Sequence, residues 1–294
     1  MLNDVLYSQS KVFKNRDVFN ISYLPEKLQA NKEELKIIYG NIKPLLEDKK
    51  PLNTIITGKS STGKTTLIRY AISEINKNTN IKTCYINCNL ENKKRKCYFK
   101  LYNTLFGHDA NKYQSTEIIH DKIIKEMKNQ KLILAIDDIN ILPEHEAIEL
   151  INELFRLNEY YDMKIALIIS INDIAYKYSL PDHIQTILTG YEIHLNKFSQ
   201  DETYQILKYR CKQGFKDNTI TQSQIKKLVK YIINMTDIRD GLIKLEILGQ
   251  KLENENRNKI TDNDLKDHVI WKNKEPIGEV LFPPPSSPFQ IIVL

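Results

Sequence analysis

The sequence predicts an α/β fold: a three-layer αβα domain on a parallel five-stranded sheet, followed by a smaller all-α domain. Three observations predict it. Short, largely apolar runs recur at 52–57, 82–87, 132–136 and 164–171, and 190–197 alternates Tyr191, Ile193 and Leu195 as a fifth. Helical periods separate these runs, which is how a parallel sheet covered on both faces reads. Beyond about residue 198 the strand signals stop, and three amphipathic helices follow near 201–213, 222–234 and 238–253.

Taken in order, residues 1–17 are polar and mixed and read as an N-terminal arm, with the αβα domain over 18–197. Leu35, Ile38, Ile42 and Leu45 share one face of a helix over 31–46, which Pro51 closes off. Leu52–Thr57 lies between Pro51 and Gly58 and reads as a buried strand. From Thr65, the positions Leu67, Ile68, Ala71, Ile72 and Ile75 set a helical period. Ser115 is placed to cap a helix carrying Ile119, Ile123 and Met127. The helical domain covers 198–255, and 256–294 holds its last element and a Pro-rich tail.

The 294 residues carry 41% hydrophobic and 27% charged side chains, which excludes a collagen, a disordered tail and a disulfide miniprotein. Forty-three Lys and Arg against 37 Asp and Glu leave a net charge of +6. Lysines outnumber arginines 36 to 7, and ammonium groups suit phosphate better than base edges. Residues 81–100 hold six basic groups against one acidic, whereas 131–160 hold two against seven. A basic segment of this kind binds nucleic acid or anionic lipid, or else is a solvated loop. Cys84, Cys88, Cys97 and Cys211 form no C-x-x-C pair and read as buried free thiols. There is no signal-peptide pattern, and no apolar run approaches the roughly 18 residues of a membrane span. The expectation is a cytoplasmic protein.

Gly58-Lys59-Ser60-Ser61-Thr62-Gly63-Lys64-Thr65 fits the phosphate-loop pattern G-x-x-x-x-G-K-S/T, after a strand and opening a helix as the motif requires. Gly58 and Gly63 permit a tight turn whose N–H groups converge on phosphate oxygens, reinforced by the helix N-terminus. Gly58, Ser60, Ser61, Thr62, Gly63, Lys64, Thr65 and Thr66 are therefore candidates to bind ATP or ADP. Lys64 would reach the β- and γ-phosphates, and the Thr65 hydroxyl would ligate Mg²⁺. Downstream, Leu132–Asp138 is an apolar run ending in two acids. Asp137 would hold the magnesium, directly or through water, and Asp138 would orient or deprotonate the attacking water. Read alone, such a pair serves equally as a helix cap.

Tyr23-Leu24-Pro25-Glu26-Lys27-Leu28, then Lys50-Pro51-Leu52-Asn53 before the phosphate loop, then Tyr85-Ile86-Asn87-Cys88, resemble the archaeal origin-recognition and cell-division-control initiators. These are AAA+ ATPases that mark replication origins and help load the helicase. The resemblance covers roughly 18–255 and implies an AAA+ nucleotide domain with a helical lid. It implies that Asn172, in Ser170-Ile171-Asn172-Asp173, is a polar sensor of the γ-phosphate or its water. Arg239, in Thr236-Asp237-Ile238-Arg239, then matches a second sensor that reaches the nucleotide when the lid closes. Phe198 and Arg210 match lid positions that contact nucleotide. The run 89–100 falls where the family carries a helical insertion that touches DNA. Lys93, Lys94, Arg95 and Lys96 would meet the phosphate backbone of duplex DNA, with Tyr98 and Phe99 as wedges. Helicase or other replication proteins, and self-association, are the further partners implied; a membrane is not.

This chain also departs from the family. Asp138 stands where a glutamate is usual, one methylene shorter. His183 stands at the arginine-finger position, and 173–193 contains no arginine. A trans arginine is worth about 10³–10⁵ in rate, so slow hydrolysis is expected. The family's winged-helix domain is expected to be missing, since a Pro-rich tail follows the lid. Two other readings stay open: a nucleotide-gated interaction module with little catalysis, and a DNA-delivery ATPase of a mobile element or plasmid.

Overall fold

A computed structural model describes residues 9–127, 130–160, 163–188 and 191–270. Helix α1 (Lys32–Leu46) buries Ile38, Ile42 and Leu45, while Leu35 is half-buried. Pro44 sits within its last turns, and the helix ends at Leu46, ahead of Pro51. Strand β1 (Thr54–Thr57) is shorter than the expected 52–57. Leu52 is exposed, and the side-chain oxygen of Asn53 takes the Leu167 N–H at 3.1 Å, in place of a backbone ladder bond. Helix α2 (Lys64–Asn78) buries the periodic set from Leu67 to Ile75.

The chain continues through β2 (Lys82–Asn87), α3 (Lys94–Phe106), α4 (Thr116–Met127), β3 (Lys131–Asp137), α5 (Glu144–Tyr160) and β4 (Lys164–Ile171). Two short helices, α6 (Ile174–Ser179) and α7 (Asp182–Ile187), lead to β5 (Tyr191–His194). The five strands form one sheet in the order β2-β3-β4-β1-β5, and every neighbouring pair is parallel. Alternate side chains serve opposite faces. Ile55 joins the core under α3, α4 and α5, while Ile56 joins the core under α1 and α2. Each such aliphatic side chain contributes about 1.5–3 kcal/mol by burial. Because the strands are parallel, their carboxyl ends share one edge, and the loop after β1, Asp137 and Asn172 all lie there.

The helical domain follows as α8 (Gln200–Gly214), α9 (Gln222–Met235), α10 (Ile238–Asn254) and α11 (Asp262–Ile270). Ser199 with Glu202, and Thr221 with Gln224, form capping boxes that start α8 and α9. The expected arm behaves differently from its polar composition. Val12 and Phe13 are buried in the helical core, and Phe13 bridges to Phe215. A 3-10 turn at Arg16–Phe19 places Phe19 4.5 Å from Phe215, ring centre to ring centre. Val12 and Phe13, with Phe19 beside them and the Lys14–Asp217 and Arg16–Glu246 pairs outside, dock a segment that is polar by count. Residues 1–8 and the Pro-rich stretch after 270 lie outside the described residues. All four cysteines are buried and unpaired, and no described helix is long and apolar enough to cross a membrane.

Candidate functional site

Three left-handed residues shape the loop between β1 and α2: Gly58, Ser61 and Gly63, with φ of 151°, 66° and 92°. At Gly63 a Cβ would lie 2.9 Å from Phe198 Cζ and 3.0 Å from Asn31 Nδ2, so both backbone and space require glycine. Asn31, just before α1, donates to the Thr62 carbonyl at 3.1 Å and braces the loop from outside. Thr62 is buried and its hydroxyl donates to Lys59 O at 2.9 Å, so it shapes the loop from within. Lys64 is also buried, and its ammonium donates to Gly58 O at 2.6 Å and Lys59 O at 3.0 Å. Burial pushes the Lys64 pKa down, against the opposing pull of Asp138 and Asp137.

The acidic pair sits at the end of β3. Asp137 is 1% exposed and accepts from Ser170 Oγ at 2.5 Å and Tyr85 Oη at 2.8 Å. Those donors come from the strands on either side of β3, and they hold the carboxylate while leaving a lone pair on each oxygen. Asp138 turns into the left-handed region at φ 58°. Its N–H donates to Ser170 Oγ at 2.7 Å, and its carboxylate accepts from Asn89 Nδ2 at 3.0 Å. Burial, then the charge of Asp137, raises the Asp138 pKa above the ordinary carboxylate value.

A cavity of about 880 Å³ opens over this edge and is walled by both domains. Ser60, Ser61, Gly63, Lys64, Thr65 and Thr66 line it from the loop and α2, and Asp138 and Asn172 from the strand ends. Phe198, Arg210 and Arg239 line it from the lid side. Gly58, Thr62 and Asp137 are buried and stand outside the lining. The Asn172 N–H donates to Asn140 Oδ1 at 2.9 Å, which fixes the turn after β4. Arg239 is exposed in the first turn of α10, next to Asp237, whose carboxylate caps that helix and accepts from Ser61 Oγ at 2.8 Å. Arg210 is 6% exposed, and its guanidinium donates to the carbonyls of Val18 and Tyr23 while stacking on the Tyr23 ring. It therefore ties the N-terminal segment to the lid as well as lining the cavity.

The basic run resolves differently from its sequence. Lys93 is the N-cap of α3, and Lys94 pairs with Glu149 at 2.7 Å and Glu153 at 2.8 Å on α5. Burial opposes the Lys94 charge, yet these two carboxylates hold its pKa above the ordinary lysine value. The Arg95 guanidinium donates to the carbonyls of Lys112 and Gln114 and lies over Phe99. Lys96 is exposed and donates to Asn92 Oδ1 at 3.0 Å. Tyr98 is 1% exposed, with its hydroxyl on Glu153, so it is core and not a wedge. His183 is exposed on α7. Ser170, Tyr85, Asn89, Asn31 and Asp237 have no assigned role in the sequence reading. For Ser170, Tyr85 and Asn89 the signal is the parallel register that pairs Asn87 with Asp137 and Ile136 with Ile169; for Asn31 and Asp237 it is the contact of two helix starts with the loop.

A family model described as an AAA domain matches residues 47–177. The ORC1-type DNA replication protein 2 of Methanothermobacter thermautotrophicus is 24% identical over 261 residues, covering 86% of this chain and 68% of that protein. Its namesake in Methanosarcina mazei is 28% identical over 273 residues, covering 90% and 72%. Among solved structures, the Aeropyrum pernix ORC1 protein in complex with DNA superposes with a TM-score of 0.79 at 18% identity, covering 89% of this chain and 70% of that one. The Aeropyrum pernix ORC2 protein in ADPNP-ADP complexes gives 0.77 at 18% identity, covering 88% and 72%. The chain thus matches an AAA domain over residues 47–177, phosphate-loop pattern included, and its homologues over most of its length are archaeal ORC1-type DNA replication proteins.

Proposed function

We propose that the chain binds ATP and ADP with Mg²⁺ in this cleft, contacts duplex DNA, and uses slow hydrolysis as a switch in replication initiation. The observation that carries the reading is the convergence, around one cavity, of the phosphate loop, Asp138, Asn172 and the lid's Arg239. The N–H groups at the start of α2 and the Lys64 ammonium suit the phosphates. Thr65 and Asp137 offer a hydroxyl and a carboxylate, the hard oxygen donors that Mg²⁺ takes one or two of beside substrate phosphates. Bound there, the ion would neutralise charge on the β- and γ-phosphates. Asp138, held by Asn89, would orient the attacking water, and Asn172 would sense the terminal phosphate. A cytoplasmic location follows from the same reading.

Relatives solved with DNA and with nucleotide support both halves of the proposal. Labelled-ATP binding to wild type and Lys64→Ala tests the first half: loss in the variant supports it, and equal binding by both rejects it. Duplex titration of Lys93→Ala/Lys96→Ala tests the second, each lost phosphate contact lowering the log–log salt slope by about 0.9. A second reading, a nucleotide-gated interaction module with little catalysis, is favoured by the Ser61–Asp237 contact between loop and lid. Single-turnover kinetics separates them, since hydrolysis within minutes that DNA enhances rejects the module. If Asp138 is simply too short, Asp138→Glu should hydrolyse faster than wild type.

A further inference from the structure

The lid carries a second concentration of positive charge that, Arg210 apart, does not line the cleft. Residues 204–230 hold seven basic groups and one acidic, an excess as large as the net charge of the whole chain. The acidic one, Asp217, is paired with Lys14, Lys227 is paired with Asp262, and Arg210 is buried. Lys208 and Lys212 on α8, and Lys226 and Lys230 on α9, are exposed and have no carboxylate partner among the described residues. Lys208 and Lys226 come from different helices to one ring, their ammoniums 5.7 and 5.8 Å from the centre of Tyr204. The ring attracts each ammonium, but the two like charges repel one another, and an anion placed between them relieves that repulsion.

We propose that this α8–α9 face is a second contact for the phosphate backbone of duplex DNA, separate from α3. Each helix presents its two lysines four residues apart, a rise of about 6 Å, close to the roughly 7 Å that two base steps rise along the duplex axis. An anionic membrane is the poorer fit. Interfacial helices insert an apolar face, and here that face is already used: Leu207, Cys211, Ile225, Leu228 and Val229 are buried in the lid core. The inference rests on the DNA-contacting part of the proposed function and adds a surface to it.

The test is Lys208→Gln/Lys212→Gln/Lys226→Gln/Lys230→Gln in the full chain, with a fluorescent duplex titrated over a salt series. Four lost contacts should lower the slope by about 3.6, while the matching Lys→Arg variant keeps it. Wild-type binding with an unchanged slope in the Gln variant overturns this surface alone. A wild type that binds no duplex at low salt overturns the DNA reading with it. Loss of binding to phosphatidylserine vesicles, with DNA binding intact, would also overturn the proposal. A Gln variant that loses slope but keeps the wild-type unfolding temperature supports it.

Discussion

The hydroxyl of Ser61, in the phosphate loop, donates to Oδ2 of Asp237, the N-cap of the lid helix that carries Arg239, at 2.8 Å. A residue of the loop is thereby tied to the residue that starts α10. The other carboxylate oxygen of Asp237 accepts from the N–H groups of Arg239 and Asp240. Asp237→Ala removes both the cap, about 1 kcal/mol, and the link to the loop; Ser61→Ala removes the link alone. Thermal unfolding should rank Asp237→Ala below Ser61→Ala, with the double variant no less stable than Asp237→Ala. Additive losses in that cycle would mean the two side chains do not communicate.

The same carboxylate makes the link sensitive to acid. Burial pushes the Asp237 pKa up, but the Ser61 hydroxyl and the N–H groups of Asp240 and Arg239 prevail and hold it below the ordinary value. A depressed folded pKa contributes stability that is fully present above the unfolded value, about 3.9, and is lost as pH falls through the folded one. Urea unfolding between pH 6 and 2 should therefore show a smaller acid-dependent loss in Asp237→Asn than in wild type.

Gly63 is where the loop, α1 and the lid meet. Gly63→Ala forces a left-handed residue, at about 1–2 kcal/mol, and drives its Cβ against Phe198 and Asn31. Nucleotide affinity should fall at least about tenfold, since 1.4 kcal/mol is a factor of ten, and isothermal titration measures it.

Lys94 should act on stability and not on DNA. Its ammonium is shared between Glu149 and Glu153, and its side chain is 18% exposed. Lys94→Ala should lower the unfolding temperature and leave the DNA salt slope unchanged. Lys93→Ala and Lys96→Ala should each lower that slope by about 0.9. A slope loss in Lys94→Ala equal to theirs would contradict the ion-pair assignment.

Much of the protein is legible in local chemistry. Apolar runs mark β1, β3 and β4, because a strand buried on both faces must be apolar throughout, while the edge strands β2 and β5 are only partly buried and β5 shows as alternation; helical periods mark the lid helices. The phosphate loop is legible because a tight turn, a lysine and a helix start are local demands on eight consecutive residues. Tertiary structure decided what needs two distant segments. Composition marks 81–100 as basic and 131–160 as acidic, as if for separate tasks. Packing α3 on α5 instead joins them, through Lys94 with Glu149 and Glu153 and Tyr98 with Glu153. Asp137 is readable as the acid at a strand end, but its positioning by Ser170 and Tyr85 comes from parallel register across three strands. Residues 9–17 of the stretch read as an arm are docked in the lid core, because burying Val12 and Phe13 beside Phe19 outweighs the polarity of their neighbours. Local periodicity and turn chemistry are written along the chain; the pairing of charges, the support of the acids and the loop-to-lid contact exist only once the chain has folded.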